Sequence, residues 1–516
     1  MISSLRQRWS GLDRDELRLL QGRQLRTFLR QCVVPFSAHY ARVFAESGLK
    51  PEDIRSVDDL ARLPFTSKRD LLPTPESPKR VLDFVLKPQP DVLRRRPATI
   101  MRALTRGKAG AREALEREWR PCFMTSTTGR STEPVPFLYT QHDLANLSLG
   151  GGRVVEIGNC QPDEKLLNLF PYAPHLAYWL VHHGCLAHNL FQIGTGGGKF
   201  LGTTGNVRLI KRIQPSILVG MPTFLYHVLR EAVDEECRVE GLRLLVLGGE
   251  KVPTGMRRKL AALCAELGSP HVQTLATYGF TEAKMAWSEC PDAPGDTPVG
   301  YHLFPDLGIV EIIDPETGQV VPDGTPGEIV YTPIDARGTV VLRYRTGDRI
   351  DGGLVHQPCP VCGRRLPRLV GRISRVSEVH ALQLQKVKGT IIDFNEVEHL
   401  LDDLTELSAW QVELRKRNDD PHELDELVIH VCSRNEGSRE ALAERIRTSF
   451  ADAFEVRPNA VEFHPCEEIR RLQKVGEALK EEKFVDRRPE AEEEGRVDGK
   501  PFKPLRASTA KTATPA

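Results

Sequence analysis

Ala276-Thr277-Tyr278-Gly279-Phe280-Thr281-Glu282 is a short aromatic and glycine-containing segment that ends in an acid. Its setting makes it informative, because the hydroxyl-rich segment Thr125–Gly129 precedes it and Tyr344–Asp348 follows it. Between about residues 120 and 345, short apolar runs alternate with helical stretches, a pattern typical of a layered α/β core. The sequence therefore predicts an α/β fold around these three segments.

Two apolar runs in this region predict buried parallel strands. Ile217-Leu218-Val219 runs into the turn Gly220–Thr223, and Leu244–Leu247 runs into Gly248-Gly249. Ligands of open α/β sheets bind beyond the carboxyl ends of the strands. The two turns are therefore candidate walls of a pocket.

Length and composition are those of an ordinary globular protein. The chain has 516 residues, so two or three domains are expected. Its formal net charge of +1 gives no electrostatic reason to expect nucleic acid or an anionic membrane as a partner. No window approaches the roughly 18 to 20 apolar residues of a membrane span, and the N-terminus lacks the apolar centre of a secretory signal. Eleven scattered cysteines argue against a disulfide framework, so we expect a reducing, cytoplasmic environment.

Patterning divides the rest of the chain. Residues 13–61 are predicted to be helical, and the Arg-rich stretch 94–120, diluted by glutamates, is predicted to be a solvated helical insertion. Apolar runs near 309–313 and 328–332 predict a smaller β-rich subdomain. A boundary near Gly371-Arg372 separates an N-terminal domain, 1–371, from a small domain, 372–488, with helix 394–404, strand 427–432 and helix 438–452. The tail, 489–516, is predicted to be disordered.

The segment Thr125-Ser126-Thr127-Thr128-Gly129-Arg130 has the chemistry of a phosphate site. Hydroxyls and exposed backbone N–H groups can surround phosphate oxygens, and arginine adds forked, permanently charged donors. The segment is not a Walker A loop, since the Gly-Lys-Ser/Thr ending is missing. A Ser/Thr-rich surface turn is the alternative interpretation.

In their order along the chain, the three segments resemble the nucleotide-binding motifs of adenylate-forming enzymes, in particular the phenylacetate–CoA ligase branch. The resemblance runs from about residue 20 to 488 and includes Leu63-Pro64-Phe65-Thr66-Ser67-Lys68. It implies a large N-terminal adenylate-forming domain with layered sheets and a β-rich subdomain, followed by a small mobile C-terminal α+β lid domain. Within the phosphate loop, Ser126 replaces a glycine of the family and Arg130 replaces a lysine.

The resemblance also implies roles for single residues. Tyr278 of the Tyr-Gly-x-Thr-Glu motif would pack on adenine, Thr281 would lie near the α-phosphate, and Glu282 would help to hold Mg²⁺. Asp348 would accept hydrogen bonds from the ribose hydroxyls, and Arg372 would reach the ribose from a hinge. The motif glycine Gly279 and the segment Gly248-Gly249-Glu250 would complete the pocket. The alternatives are a tyrosine corner at a helix start, a structural Gly-Gly turn, and an unpaired surface Asp and Arg.

Cys359-Pro360-Val361-Cys362 is a Cys-x-x-Cys knuckle, which suits two thiolates on one metal ion. The resemblance suggests Cys290 and His302 as the remaining ligands of a closed, structural Zn²⁺ site. His356 is a rival fourth ligand because it lies three residues before Cys359. A redox-active or merely buried cysteine pair is the alternative.

The C-terminal domain should carry a lysine that bridges carboxylate and phosphate oxygens during adenylation. Counting back without gaps from Phe484–Arg488 aligns Lys480 with it, whereas one gap favours Lys474. A solvated helix lysine is the alternative. Lys388–Glu398 aligns with the segment that usually helps to form the thiol tunnel.

The expected function is ATP-dependent activation of a carboxylic acid, aryl or related and small, to an acyl-AMP, followed by transfer to the thiol of CoA. The cofactors are then ATP/AMP, Mg²⁺, CoA and structural Zn²⁺. Two alternatives stay open: transfer to an amine or a carrier protein, and a degenerate, non-catalytic nucleotide-binding protein. The identity of the acid and the oligomeric state are not readable from one sequence.

Overall fold

The computed structural model describes residues 10–75, 77–127, 134–291, 298–375, 386–387, 390–391, 394–417, 425–433, 439–454, 456–474 and 481–487. Within these ranges, no helix combines the length and the apolar character that crossing a membrane requires. The predicted disordered tail, 489–516, lies outside them.

Helices form the N-terminal part. They are α1 Arg14–Phe28, α2 Val34–Phe36, α3 Ala38–Glu46, α4 Lys68–Leu71, α5 Pro90–Arg94 and α6 Pro97–Trp119. The helix α1 begins at a capping box, because the Asp13 and Glu16 side chains each accept the other's backbone N–H. The predicted helical region 13–61 is interrupted by a π turn at Leu29–Val33 and by 3₁₀ turns at Pro51–Asp53 and Asp58–Arg62.

The Arg-rich stretch is helical, as predicted. The helix α6 is kinked at Gly107, whose φ of 72° a glycine adopts without strain. Its exposed ion pairs, Arg112–Glu116 at 3.0 Å and Arg117–Glu113 at 2.8 Å, link side chains four residues apart. These two pairs offset part of the positive charge on the exposed face of the helix.

A nine-stranded sheet forms the centre of the N-terminal part. After the hairpin of β1 Phe123–Ser126 and β2 Pro136–Tyr139, the chain alternates helices and strands: α7 Gln141–Ile157, β3 Lys165–Asn168, α8 Leu176–Ala187, β4 Phe191–Gly194, α9 Gly198–Ile213, β5 Ile217–Gly220, α10 Pro222–Asp234, β6 Leu244–Leu247, α11 Thr254–Glu266, β7 Gln273–Phe280, β8 Met285–Ser288 and β9 Tyr301–His302. Strands β4, β3, β5, β6 and β7 are parallel; β8 pairs antiparallel with β7, and β9 pairs antiparallel with β8. Every residue of β5 and β6 is buried, which confirms the two predicted parallel strands.

A second, antiparallel sheet follows. Its region comprises β10 Gly308–Ile313, β11 Gly327–Pro333, β12 Tyr344–Ile350, β13 Leu354–Val355, β14 Arg368–Leu369 and β15 Ile373–Arg375. Strands β10, β11, β12 and β15 form the sheet in that order, whereas β13 and β14 extend the central sheet beyond β9. The predicted β-rich subdomain is therefore present, and two of its strands belong to the larger sheet.

The C-terminal part is an α+β unit. It contains β16 Lys386–Val387, β17 Thr390–Ile391, α12 Phe394–Asp403, β18 Leu407–Lys416, β19 Asp425–Ser433, α13 Arg439–Phe454, β20 Ala460–Phe463, α14 Cys466–Leu472 and β21 Phe484–Asp486. Its main sheet has the order β20-β19-β18-β21. Apolar side chains of β18 and β19 pack against α12 and α13 in a separate core. The predicted elements 394–404, 427–432 and 438–452 agree with these bounds to within two residues.

The cysteines form more contacts than their scattered positions suggested. Cys432 on β19 is disulfide-bonded to Cys466, the first residue of α14. We expected no disulfide framework. Among the described residues, this bridge is the only disulfide. The pairing depends on β20 returning the chain beside β19, which residue spacing does not reveal.

Candidate active site

The segment that contains Tyr278 lies at the end of β7. This strand pairs in parallel with β6 and antiparallel with β8, and a 3₁₀ turn, Thr281–Ala283, ends it. The half-buried Tyr278 ring stacks on Trp287 at a centroid distance of 6.0 Å. Burial, followed by the negative charge of Asp348, raises the pKa of Tyr278 well above its ordinary value, so its hydroxyl is a donor.

Two hydrogen bonds join this segment to β12. Tyr278 donates to Asp348 Oδ2 at 2.8 Å, and Tyr344 donates to Glu282 Oε1 at 2.6 Å. Burial raises the pKa of Glu282, and the Tyr344 hydroxyl opposes that rise by stabilising the carboxylate. The Tyr278–Glu282 and Tyr344–Asp348 segments are more than sixty residues apart in sequence, and these two bonds join them into one wall of the candidate site.

Asp348 is also paired with a cation that the sequence argument missed. Arg375 Nε lies 2.9 Å from Asp348 Oδ1, because β12 and β15 place these residues opposite each other. Arg372, the predicted ribose contact, is exposed, and its Nε lies 3.2 Å from Asp351 Oδ2. Arg375 is the second arginine after the hinge glycine Gly371, but its pairing with Asp348 depends on strand register, which the sequence does not show.

The phosphate segment is described only as far as Thr127; Thr128, Gly129 and Arg130 lie outside the described residues. Thr125 is buried, with its hydroxyl 3.0 Å from the Tyr139 hydroxyl, and therefore stabilises the β1–β2 hairpin. The Thr127 hydroxyl accepts from the Val135 N–H at 3.0 Å. Ser126 donates its backbone N–H to the Pro174 carbonyl at 2.6 Å.

A buried lysine connects that hairpin to the Tyr278 segment. Lys284 Nζ donates to the Leu138 carbonyl at 2.7 Å and lies 3.4 Å from Asp143 Oδ2. Burial lowers the pKa of Lys284, while Asp143 counteracts this by favouring the ammonium. Lys284 follows Glu282 by two residues, so the hairpin and the acid of the motif are held together.

Gly248-Gly249-Glu250 lies at the carboxyl end of β6, as predicted. A side chain at Gly248 would meet the Thr277 hydroxyl at 2.2 Å, and Gly249 has a φ of 80°. Only glycine satisfies both conditions without rearrangement. The Glu250 carboxylate accepts from the Thr223 hydroxyl at 2.6 Å, which joins the two predicted pocket turns.

Cys290, His302, Cys359 and Cys362 converge at one point. Their ligand atoms all lie within 4.8 Å of one another. Cys362 Sγ lies 3.4 Å from His302 Nε2, and Cys290 Sγ lies 3.8 Å from both His302 Nε2 and Cys359 Sγ. His356, the rival ligand, instead lies 2.9 Å from Asp323. The structure therefore brings together the four residues that the sequence argument favoured.

The local backbone favours this cluster. In the knuckle, Cys359 N–H donates to the Arg364 carbonyl and Gly363 N–H donates to the Cys359 carbonyl, both at 2.9 Å. Gly363 has a φ of 70°, which completes the turn around the two thiols. His302 Nδ1 lies 3.1 Å from the Ser288 carbonyl, so Nδ1 carries the proton and Nε2 presents its lone pair to the sulfur atoms.

Of the candidate lid lysines, Lys480 lies outside the described residues, and Lys474 pairs with Glu482 at 2.8 Å. A third lysine, Lys483, is half-buried and lies 2.9 Å from Glu398 and 3.4 Å from Asp402. These two carboxylates outweigh the effect of burial and raise the pKa of Lys483. No motif in the sequence indicated this triad.

Comparison with known proteins agrees with this geometry. Residues 109–334 match the model of the AMP-binding enzyme family. This match supports the resemblance to adenylate-forming enzymes that the sequence motifs indicate. Over 493 residues it is 26% identical to a phenylacetate–coenzyme A ligase of Aromatoleum evansii, covering 92% of this chain and 95% of the relative. A phenylacetate–coenzyme A ligase of Thermus thermophilus is 25% identical over 74% of this chain and 75% of that protein.

Solved structures share the fold at lower identity. The structure of 2-hydroxyisobutyryl-CoA ligase in the postadenylation state, in complex with R3-HIB-AMP, aligns with a TM-score of 0.72 at 17% identity. The alignment covers 93% of this chain and 92% of that one. For the same ligase in complex with 2-HIB-AMP and CoA in the thioesterification state, the TM-score is 0.58. These matches show the fold predicted from the sequence.

Proposed function

We propose that this protein activates a carboxylic acid with ATP and transfers the acyl group to the thiol of CoA. The observation that carries the proposal is the pair of hydrogen bonds, Tyr278 to Asp348 and Tyr344 to Glu282, that unites two nucleotide motifs. Relatives over most of the chain length are named phenylacetate–coenzyme A ligases, which supports CoA as the acceptor and an aryl acid as the substrate class.

In this proposal the adenosine lies along the wall formed by Tyr278 and Asp348. The tyrosine ring offers a face to adenine, and the carboxylate can accept from both ribose hydroxyls. Thr281 lies near the α-phosphate. The loop from Ser126 to Arg130 and the turn at Gly248-Gly249 would close the pocket around the phosphates and the adenine.

Glu282 is our candidate for holding Mg²⁺. Its carboxylate is half-buried and, with Tyr344 on one oxygen, offers the hard oxygen ligand that Mg²⁺ prefers. Bound there, the ion would supply positive charge beside the phosphates. The residues of the chain would orient the reactants and exclude water.

The reaction has two displacement steps, and neither needs a covalent bond between the substrate and the protein. In the first, a substrate carboxylate oxygen attacks the α-phosphorus of ATP, and pyrophosphate leaves. In the second, the CoA thiolate attacks the acyl carbonyl, and AMP leaves with the electrons of the broken C–O bond. Positioning and electrostatic stabilisation are the contributions expected of the protein.

The division of labour between domains is part of the proposal. Residues 1–371 would bind the nucleotide and the acid, and residues 372–488 would act as the lid that presents Lys480 in the first step. The contacts of Lys483 with Glu398 and Asp402 support a lid whose last strand is firmly attached to its first helix.

We further propose that the four-residue cluster binds structural Zn²⁺. Three thiols and one imidazole are the donor set of a Cys₃His site, and four protein ligands leave no position for substrate. The cluster joins β9 to the knuckle before β14, so the ion would brace the edge of the central sheet.

An exchange assay tests the activation step. Purified protein is incubated with ATP, labelled pyrophosphate and a panel of aryl and short alkyl acids, and acid-dependent incorporation of label into ATP is expected. Consumption of CoA thiol with the best acid then tests the acceptor. Tyr278→Phe should reduce exchange, whereas Tyr172→Phe, which changes an exposed tyrosine, should not. If ATP neither binds nor exchanges with any acid, the proposal is wrong.

A further inference from the structure

A second group of potential metal ligands lies on the C-terminal sheet, outside the candidate active site. His430 of β19 is directly opposite Glu462 of β20 in the parallel pairing of these strands. His464 is two residues beyond Glu462 and therefore points to the same face. Glu413 of β18 also lies on this face, with its carboxylate 2.7 Å from His430 Nε2.

The spacing of three atoms matches a single ion. His430 Nδ1 lies 3.0 Å from His464 Nε2 and 3.4 Å from Glu462 Oε2, and the last two atoms are 3.6 Å apart. A tetrahedral ion with bonds of about 2.0–2.1 Å separates its ligand atoms by about 3.3–3.4 Å. The three measured separations bracket that value.

Proton positions on the imidazoles make the convergence unusual. His430 Nε2 faces Glu413, and His464 Nδ1 faces Glu468 at 3.3 Å, so each of these nitrogens carries an N–H that points to a carboxylate. In a neutral imidazole the other nitrogen then has a lone pair. Two imidazole lone pairs and the Glu462 carboxylate consequently meet at one point, an arrangement that is stabilised either by a bound cation or by a proton on one of the facing nitrogens.

We propose that His430, Glu462 and His464 bind a divalent transition-metal ion, for which Zn²⁺ is the best fit. Imidazole nitrogen with one carboxylate oxygen suits Zn²⁺ far better than Mg²⁺ or Ca²⁺. Glu413 and Glu468 orient the two imidazoles, as carboxylates commonly do behind histidine ligands of zinc.

The surroundings leave the inner atoms to the ion. Arg487 Nε lies 3.0 Å from the outer oxygen of Glu413, and Arg415 lies 3.7 Å from the outer oxygen of Glu462. The Glu462 side chain is 37% exposed, which provides a path from solvent. Three protein ligands leave a position for water. The ion would tie β19 to the segment that connects β20 to α14.

Counting metal in the full-length protein tests the proposal. We expect wild type to bind one more equivalent of Zn²⁺, or of Co²⁺ as a spectroscopic probe, than Glu462→Gln or His464→Gln. Co²⁺ at this site should show no sulfur-to-metal charge-transfer band, which distinguishes it from Co²⁺ at the Cys290 cluster. His271→Gln, which changes an exposed histidine, is the matched control. Glu468→Gln should weaken binding by about 10- to 100-fold without abolishing it.

A thermal measurement guards against misfolded variants. Added Zn²⁺ should raise the Tm of wild type and His271→Gln more than that of Glu462→Gln, an isosteric change at a partly exposed side chain that we expect to preserve the fold. Equal metal content and equal Tm shifts in wild type, Glu462→Gln and His464→Gln would overturn the proposal. That outcome would mean that a proton shared between the imidazoles is the cation.

Discussion

Replacing Tyr344 by phenylalanine should move the pH dependence of the enzyme. The buried Tyr344 hydroxyl donates to Glu282 Oε1 at 2.6 Å and opposes the effect of burial, which raises the pKa of that carboxyl group. A hydrogen bond to a charged group contributes about 1.5–3 kcal/mol, and one pKa unit corresponds to about 1.4 kcal/mol. Without the hydroxyl, the carboxylate loses stabilisation worth about 10- to 100-fold in its binding to Mg²⁺ at acidic pH, and the pKa of Glu282 should rise further.

The direction in which the pH dependence of activity moves follows from the proposed role of Glu282. Only its ionised form would hold Mg²⁺, so activity should fall as the pH drops through the Glu282 pKa, and in Tyr344→Phe it should fall at a higher pH. The assay is kcat/KM for ATP in pyrophosphate exchange, measured from acid to neutral pH. Tyr331→Phe is the control, because Tyr331 is buried opposite Tyr344 on β11 and its hydroxyl lies 4.0 Å from the Met285 sulfur. An acid limb that is unchanged in Tyr344→Phe, with ATP still bound, would refute the reasoning.

Three other substitutions test separate parts of the structure. Cys359→Ser should lose one equivalent of Zn²⁺, measured by elemental analysis, whereas Cys122→Ser, at an exposed thiol, should lose none. Asp348→Asn should weaken AMP binding, measured by calorimetry, by about 10- to 100-fold, since a hydrogen bond to a charged group is lost; unchanged affinity would contradict the proposed ribose contact. Lys483→Met removes the ammonium between two carboxylates of α12, leaving Glu398 only the more distant Lys251 at 3.9 Å, and should lower the free energy of unfolding of the C-terminal unit, measured by urea titration, by about 3–5 kcal/mol. Lys474→Met, which breaks an exposed ion pair, should lower the free energy of unfolding by less than about 1 kcal/mol in a urea titration. Because the ion pair raises the pKa of Lys483, its stabilisation is present below the ordinary lysine pKa of about 10.4, and the effect of Lys483→Met should be the same from about pH 6 to about pH 9.

Local sequence accounted for much of the central sheet. Ile217–Val219 and Leu244–Leu247 could be predicted as parallel strands because continuous apolar runs before glycine turns indicate burial on both faces. The helical region 13–61 was predicted too long, since Pro35, Ser37 and Pro51 break a pattern whose apolar periodicity continues beyond them.

Contacts between distant strands could not be predicted in the same way. The pairing of Asp348 with Arg375 depends on the register of β12 against β15, and the His430–Glu462–His464 group depends on β20 lying parallel to β19. A shift of one residue in either register would turn the side chains to opposite faces. That Cys290, His302, Cys359 and Cys362 lie together could be predicted, because the Cys-x-x-Cys knuckle is typical of a metal site and the family resemblance suggested the other two residues.

Asp348 has a structural consequence that none of the motifs shows alone. One of its oxygens accepts a hydrogen bond from Tyr278, on the strand that leads into the turn of Glu282, and the other lies beside Arg375, three residues after Arg372. The wall that faces the proposed adenosine is therefore linked by a single carboxylate to the segment that leads into the C-terminal unit. Arg372 itself is engaged with Asp351 through both its backbone N–H, at 2.6 Å, and its Nε. Two ion pairs, Asp348–Arg375 and Asp351–Arg372, thus hold the chain after Gly371 against β12 and the turn that follows it. Any movement of the C-terminal unit about Arg372 must break or rotate these two pairs.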